Sequence, residues 1–362
     1  MEKKRAMIIT SVFVLLVFGF ALWHILLPDS EISIFERRKL EQKPQLSKES
    51  IFDGSFSKDL EDYLLDQFPL RQKFVALNTA MRYYAFGQTQ QDDMYLQDGS
   101  VFEAKPMNET GIKAAANRME TIAQQHLQNS KVYYAVIPDK NAFMEDQGQP
   151  KMDYEFIYNT LAEKLPNATA VEIASLLSAE DYYKTDLHWK QECIYPVAEK
   201  LAAVMGAELV PFERYEHNSL SPFYGSFYSR SPKPLKPETL TYLTSPMTQR
   251  AFVTGTELPG RRPVYVPDRI SGADGYDVFL HGAQAFLTVE IPNAQEKREL
   301  VIFRDSFGSS IAPYFLGAYS KITLVDLRYM SSTLLEQYVD FKGADVLFLY
   351  SAGILNNGTI LK

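Results

Sequence analysis

The longest run without charge lies near the start of the chain. Between Arg5 and Asp29 stand 23 uncharged residues, counting His24 as neutral. At about 1.5 Å per helical residue they span roughly 35 Å, enough for the hydrocarbon core of a bilayer. A secretory leader has a shorter apolar core and ends at a small-residue cleavage site. This run ends Leu22-Trp23-His24-Ile25-Leu26-Leu27-Pro28, without such a site. Trp23 stands where an interfacial aromatic belongs, and Lys3, Lys4 and Arg5 favour a cytoplasmic N-terminus. The pattern predicts a cytoplasmic tip and uncleaved signal anchor over 1–28, in contact with lipid through residues 6–28. The chain then crosses a cell membrane once, with residues 29–362 extracytoplasmic.

Residues 29–55 are polar, contain Pro44, and read as a stalk. From Phe56 to Tyr84 apolar positions recur at helical spacing: Leu60, Tyr63, Leu64, Phe68, Phe74, Leu77 and Met81. Pro69 interrupts them, which predicts two helices or one kinked helix. Asn108-Glu109-Thr110-Gly111 opens another helix that runs to about Gln128. Residues 29–128 therefore form a stalk and helical region. The pattern changes after Ser130, where 129–362 reads as one α/β domain. Lys131–Ile137, Ala168–Ile173, Leu300–Phe303, Ile322–Val325 and Val346–Tyr350 are compact apolar runs of strand length. Tyr154–Leu165, Lys190–Met205, Ser309–Leu316 and Ser331–Phe341 have helical spacing. Residues 211–275 are rich in Pro, Ser, Thr and Gly and read as loops with short strands. Strands alternating with helices predict a parallel sheet with crossover helices, and a ligand site beyond the carboxyl ends of the strands.

Composition narrows the classes. The 362 residues carry 37 Lys and Arg against 45 Asp and Glu, a net charge of −8, so a nucleic-acid partner is excluded for want of a basic face. Hydrophobic residues make up 46%, which supports a sizeable globular core. The lone cysteine, Cys193, rules out an internal disulfide and a thiolate metal site; its helical surroundings predict a buried, structural thiol. The 22 Tyr and 23 Phe suit both core packing and sugar-facing surfaces. Phe212, Tyr215, Phe223, Tyr224, Phe227 and Tyr228 in the middle of the chain fit either use.

Two segments carry candidate chemistry. In Phe303-Arg304-Asp305-Ser306-Phe307-Gly308 an apolar strand ends and a serine follows immediately before a helix. A serine on such a turn projects over the sheet edge, beside backbone N–H groups that can bind an oxyanion. A serine or aspartate there can equally be a helix N-cap. In Tyr182-Tyr183-Lys184-Thr185-Asp186-Leu187-His188-Trp189 an acid precedes a histidine by two residues. Extended backbone puts both side chains on one face. A serine needs an imidazole to take its proton, and the imidazole needs a carboxylate to fix its tautomer. A solvated Asp186 and a structural His188 are the plain alternative. Of the five histidines only His188 has an acid two residues before it and a tryptophan after it. One Asp-x-His without a second clustered histidine offers too few ligands for a metal, and no cofactor is called for.

The segment Thr185–Trp189 resembles the name motif of the DHHW protein family, with Leu187 in place of the first histidine. Phe35-Glu36-Arg37-Arg38-Lys39-Leu40 and Asp66-Gln67-Phe68-Pro69-Leu70-Arg71 are similar to the family's amino-terminal signature. Arg304-Asp305-Ser306-Phe307 resembles its nucleophile block, with Arg304 where many SGNH enzymes have glycine. Val325-Asp326-Leu327-Arg328-Tyr329 also resembles a family segment, and the likeness extends over nearly all of 33–350. The family is grouped with SGNH-type hydrolases and related to the alginate O-acetyltransferases. The resemblance implies an SGNH-like parallel sheet flanked by helices, and a triad of Ser306, His188 and Asp186. It places the Ser306 N–H in the oxyanion hole, with Arg328, Tyr329 and Asn356 as further candidates. Asp305 is expected to position the turn, and Trp189 to pack beside the histidine or a sugar ring.

These expectations converge on an extracytoplasmic O-acetyltransferase acting on a cell-surface polysaccharide. The family resemblance implies a membrane-bound O-acyltransferase as the partner that delivers acetyl groups. A carbohydrate acetyl esterase would use the same triad with water as acceptor. A non-catalytic envelope scaffold or binding protein is the reading from a different class, kept open by the replaced histidine and glycine.

Overall fold

The computed structural model describes residues 2–145, 148–294 and 297–362. It begins with a 25-residue helix, Glu2–Leu26, none of whose residues is buried and which is long and apolar enough to cross a membrane. Helices Ser55–Asp66 and Arg71–Phe86 follow, separated at Pro69 as the missing proline N–H requires. The stalk is more structured than its polarity predicts. It contains a small pairing of Ile32–Ser33 with Arg38–Lys39 and a short helix, Lys48–Phe52, capped by Ser47.

Eight strands form the central sheet. Its order is Leu258–Arg262, Phe252–Gly255, Phe286–Glu290, Lys321–Val325, Glu299–Arg304, Asp345–Ser351, Lys131–Ile137, Thr169–Ala170. The last five are parallel, and the first three extend the sheet antiparallel. The fold is therefore mixed α/β with a parallel centre and helices on both faces.

Alternation along the parallel strands explains why they read as unbroken apolar runs. Leu300 and Ile302 enter one core with Leu347, Leu349, Tyr133 and Ala135. Val301 and Phe303 enter the other with Val346, Phe348, Tyr134 and Val136. Both faces are covered, so both residue parities are apolar. Helices Glu109–His126 and Tyr154–Lys164 cover the second face, started by the side-chain caps of Asn108 and Asp153. Helix Tyr195–Val204 packs on the first.

Several expected elements are shorter than their periodicity suggests. The 190–205 segment opens with a 3₁₀ turn, Gln191–Cys193, and becomes α-helical only at Tyr195, next to Pro196. Cys193 is half-buried, and burial pushes its thiol up to about 11. The 309–316 helix is a four-residue α-turn, Gly308–Ile311, continued as 3₁₀ through Ala312–Phe315, where Pro313 supplies no N–H. Residues 331–341 hold only Ser332–Leu334 (3₁₀) and Leu335–Tyr338 (α). The 168–173 strand pairs only at Thr169–Ala170. A three-stranded sheet at 90–103 and a hairpin of Glu216–Phe223 with Glu238–Thr244 complete the fold.

Candidate active site

The parallel strands deliver their carboxyl ends to one cleft of about 450 Å³. Strand Glu299–Arg304 contributes Asp305, Ser306 and Phe307; strand Lys131–Ile137 contributes Asp139, Lys140 and Asn141; strand Asp345–Ser351 contributes Asn356. Two strands that lead to opposite sides of a sheet leave a crevice at their carboxyl ends, and ligands bind there in open α/β folds.

Ser306 is half-buried and opens onto this cleft. Its turn is tied down by Asp305, whose carboxylate accepts from Phe307 N (3.0 Å) and from Ser351 N (2.8 Å). Asp305 thus ties the turn to the end of the neighbouring strand. Among the described residues the Ser306 N–H meets no acceptor, which leaves it free for an oxyanion. Arg304 is fully buried and does not line the cleft: its guanidinium donates to the carbonyls of Asp305 and Gly282 and lies 3.9 Å from Asp326.

The distant Asp186-x-His188 segment meets this turn. His188 Nε2 lies 2.7 Å from Ser306 Oγ, and His188 Nδ1 lies 2.5 Å from Asp186 Oδ1. The Nδ1–H donates to the carboxylate in the tautomer that leaves Nε2 to accept the serine proton. Burial alone would raise the Asp186 carboxyl, but His188 and Arg37 outweigh it and hold it well below the usual carboxylate range.

The loop carrying the acid and histidine has almost no secondary structure, so side chains immobilise it. An isolated antiparallel bridge joins Tyr182 to Trp189. Lys140 Nζ donates to the carbonyls of Tyr183 (2.9 Å), Lys184 (3.1 Å) and Asp186 (3.0 Å). Burial pulls that ammonium down to about 7, with Asp186 and Glu238 opposing. The Glu238 carboxylate accepts from Lys184 N, Thr185 N and Thr185 Oγ1. Ser226 N donates to Asp186 Oδ2 (2.6 Å), and Arg37 NH1 donates to the same oxygen (2.7 Å) while also pairing with Asp274.

Trp189 does not face a sugar. It is fully buried, donates through Nε1 to Ser310 Oγ (2.9 Å), and meets Phe307 edge-on. The ring that lies flat on His188 is Tyr276, with centroids 3.8 Å apart and planes within 7°. Arg328 and Asn356 line the cleft, whereas Tyr329 is 53% exposed and lies off its wall. Arg328 is held by Asp326 (2.6 and 2.9 Å). Asn356 accepts from Asn108 N and donates to Pro106 O (3.0 Å), so it fixes the start of helix Glu109–His126 beside the cleft. Of the six central aromatics only Phe227 lines the cleft; Phe223 and Tyr215 are core, and Tyr224 and Tyr228 surround Phe35. Among the described residues no group of three or more His, Cys, Asp or Glu is arranged to hold a metal ion.

Sequence reasoning passed over Arg37, Lys140, Ser226, Glu238 and Tyr276. Arg37 lay within the amino-terminal signature without a role. Lys140 follows the end of a parallel strand, where side chains face the ligand crevice, and that position was the available signal. Nothing local marks Ser226, Glu238 or Tyr276.

No family model matches the sequence, and no curated protein matches it. Solved structures do. A DHHW family protein from Eubacterium siraeum DSM 15702 superposes with a TM-score of 0.61 at 21% identity, over 75% of this chain and 94% of that one. Bacillus cereus PatB1 matches with a TM-score of 0.61 at 17% identity, over 75% and 99%, and is also known with a sulfonyl adduct. The O-acetyltransferase domain of Pseudomonas putida AlgJ matches with a TM-score of 0.46 at 14% identity, over 74% and 93%. The DHHW protein and PatB1 share this chain's fold, and the family whose motifs the sequence resembles is thus represented among its structural neighbours.

Proposed function

We propose that this chain is a membrane-anchored, extracytoplasmic O-acetyltransferase of the SGNH-like type. Ser306 is its nucleophile, His188 its base and Asp186 its orienting acid. The observation that carries this reading is the hydrogen-bonded series from Asp186 through His188 to a half-buried serine on a cleft wall. A structural N-cap or solvated loop histidine has no need of that alignment.

The chemistry follows from the positions. His188 Nε2 takes the Ser306 hydroxyl proton as Oγ attacks the acetyl carbonyl carbon. Negative charge gathers on the carbonyl oxygen, where the Ser306 N–H supplies a donor and Arg328 supplies positive charge from the cleft wall. As the donor's oxygen leaves, His188 returns the proton to it, and the acetyl group stays on Ser306. A hydroxyl of a cell-surface polysaccharide then gives its proton to His188 and attacks the acyl carbon; the bond to Oγ breaks, His188 returns that proton to Oγ, and the serine is free again. Asp186 steadies the imidazolium in both halves. The acetyl donor reaches this side of the membrane from a membrane-bound O-acyltransferase. Helix Glu2–Leu26 anchors the chain, with Lys3, Lys4 and Arg5 on the cytoplasmic side.

The test uses the full chain in lipid nanodiscs with p-nitrophenyl acetate, with and without soluble glycan acceptors. Acetyl transfer to glycan, through an adduct on Ser306, is the expected result. Release of acetate alone, unaffected by any acceptor, makes the chain an esterase. Since PatB1 is known with a sulfonyl adduct, a sulfonyl fluoride is a fitting probe. Failure to label Ser306, together with unchanged turnover in Ser306→Ala, overturns the triad.

A further inference from the structure

Helix Arg71–Phe86 contains no buried residue, yet its sides are unlike. Gln72, Val75, Ala76 and Thr79 border a cavity shared with Phe35, Tyr228 and Leu235, so this side faces the body of the protein. Lys233 Nζ lies 5.2 Å over the Tyr83 ring, a second attachment. Phe74, Leu77, Met81 and Tyr84 recur at spacings of three, four and three and are 47%, 56%, 53% and 71% exposed. They form an exposed apolar stripe, met at its start by the Phe20 and Phe68 rings beside Phe74.

The stripe runs to the membrane helix. Phe20 of that helix stacks on Phe68 (5.7 Å, 5° between planes) and lies 6.2 Å from Phe74, while His24 meets Tyr63 edge-on. Phe20 precedes the helix end at Leu26 by six residues, or about 9 Å along the axis. Interfacial helices bury their apolar face about 5–10 Å into the headgroup and acyl boundary, which is the same depth. Charge agrees with that setting: helix Arg71–Phe86 has no acid and carries Lys73 and Arg82, besides Arg71, which pairs with Glu36. The preceding helix is acidic, with Asp59, Glu61, Asp62 and Asp66 against Lys58; Leu64 and Leu65 at its end and Phe68 beyond it are exposed.

We propose that helix Arg71–Phe86 lies in the plane of the extracytoplasmic membrane surface, its Phe74–Leu77–Met81–Tyr84 stripe in lipid and Lys73 and Arg82 among anionic headgroups. The protein is then held at two places, by a spanning helix and an in-plane helix, which limits how the catalytic cleft can turn relative to the bilayer. This inference rests on residues 6–28 crossing the membrane and not on the chemistry of Ser306.

The test is fluorescence depth measurement on the full chain with Cys193→Ser. Single cysteines at Leu77→Cys, Met81→Cys, Val12→Cys and Glu199→Cys are labelled with an NBD dye. The protein is placed in vesicles of phosphatidylcholine and phosphatidylglycerol containing doxyl-labelled lipid. Dyes at 77 and 81 should be blue-shifted and quenched by the doxyl lipid severalfold more than the dye at 199. A dye at 12 that is quenched while those at 77 and 81 match 199 overturns the inference, whether water or another protein covers the stripe. An unquenched dye at 12 removes the spanning helix and with it the premise. None of these readings depends on turnover.

Discussion

Gly225→Ala is a substitution far from the serine in sequence that should disable it. A Cβ on Gly225 would stand 2.7 Å from Asp186 Cβ and still closer to the Thr185 carbonyl. Carbon atoms in ordinary contact sit about 3.5–4.0 Å apart, so one wall must retreat by roughly 1 Å. Neither wall is free to move. Phe227 N donates to the Thr185 carbonyl (2.9 Å) and Ser226 N to the Asp186 carboxylate (2.6 Å), so retreat stretches both bonds. Overpacking costs about 1–3 kcal/mol, and weakening a bond to a buried charged group costs about 1.5–3 kcal/mol; partial relaxation leaves a net loss near 2–3 kcal/mol. Shifting the acid by about 1 Å moves the imidazole it steadies, and misplacement of that size costs on the order of 10²-fold in rate. The assay is p-nitrophenyl acetate turnover beside thermal unfolding of the same preparation. We expect kcat to fall far more than KM rises, and Tm to drop by several degrees. A Gly225→Ala protein with wild-type kcat and wild-type Tm would refute the packing argument, because no relaxed position for the methyl group would then be costly.

Ser306→Ala should lower turnover by about 10⁴-fold or more and leave the unfolding curve unchanged, which circular dichroism and the ester assay check together. Arg37→Gln removes one side of a largely buried ion pair (11% and 0% exposed) and should cost about 3–5 kcal/mol in urea unfolding, against no change if the contact is incidental. Lys140 sits at about 7 in the fold and near 10.4 when unfolded. The unfolded chain therefore binds the extra proton between those values, and stability should rise with pH across that window by up to about 1.4 kcal/mol per unit. In Lys140→Met the rise should vanish, and three carbonyls of the 183–186 loop lose their donor, so kcat should fall as well.

The parallel strands were legible because strands covered on both faces are apolar at every position. Lys131–Ile137 matches its strand to the residue, and Leu300–Phe303 and Val346–Tyr350 lie within strands two residues longer. The short helices after Gly308 and Ser331 were overextended, because apolar spacing marks a buried face without marking the change from α to 3₁₀ turns. The three-stranded sheet at 90–103 was passed over although its turn carried a signal. Asp98 and Gly99 both have positive φ (47° and 76°), and Asp-Gly between short apolar runs is a hairpin sign. At the site, spacing singles out Asp186-x-His188, whereas Ser306 at a strand end equally fits an N-cap and is singled out by the family resemblance. Tyr276 on the histidine and Glu238 on the loop carry no such mark. They arrive from segments 50 or more residues away, and only the folded chain brings them together.

That dependence has a structural cause. The sheet fixes Ser306 through two strand-end hydrogen bonds of Asp305, but the acid and base ride on an irregular loop whose backbone groups need partners from elsewhere. Lys140 from a strand end and Glu238 from the hairpin partner that backbone, while Ser226 beside the hairpin and Arg37 from the arm that follows helix Glu2–Leu26 partner the Asp186 carboxylate. Arg37 is the unusual member, since it compensates the charge of a fully buried carboxylate from a segment only eleven residues beyond Leu26. Without it, His188 and the Lys140 ammonium would be the ionisable partners left to the buried Asp186 carboxylate. The arm that follows helix Glu2–Leu26 is therefore part of the electrostatics of the site. A chain cut after residue 40 would test this: it retains Ser306, His188 and Asp186 yet should lose both stability and turnover, to an extent that Arg37→Gln in the full chain reproduces.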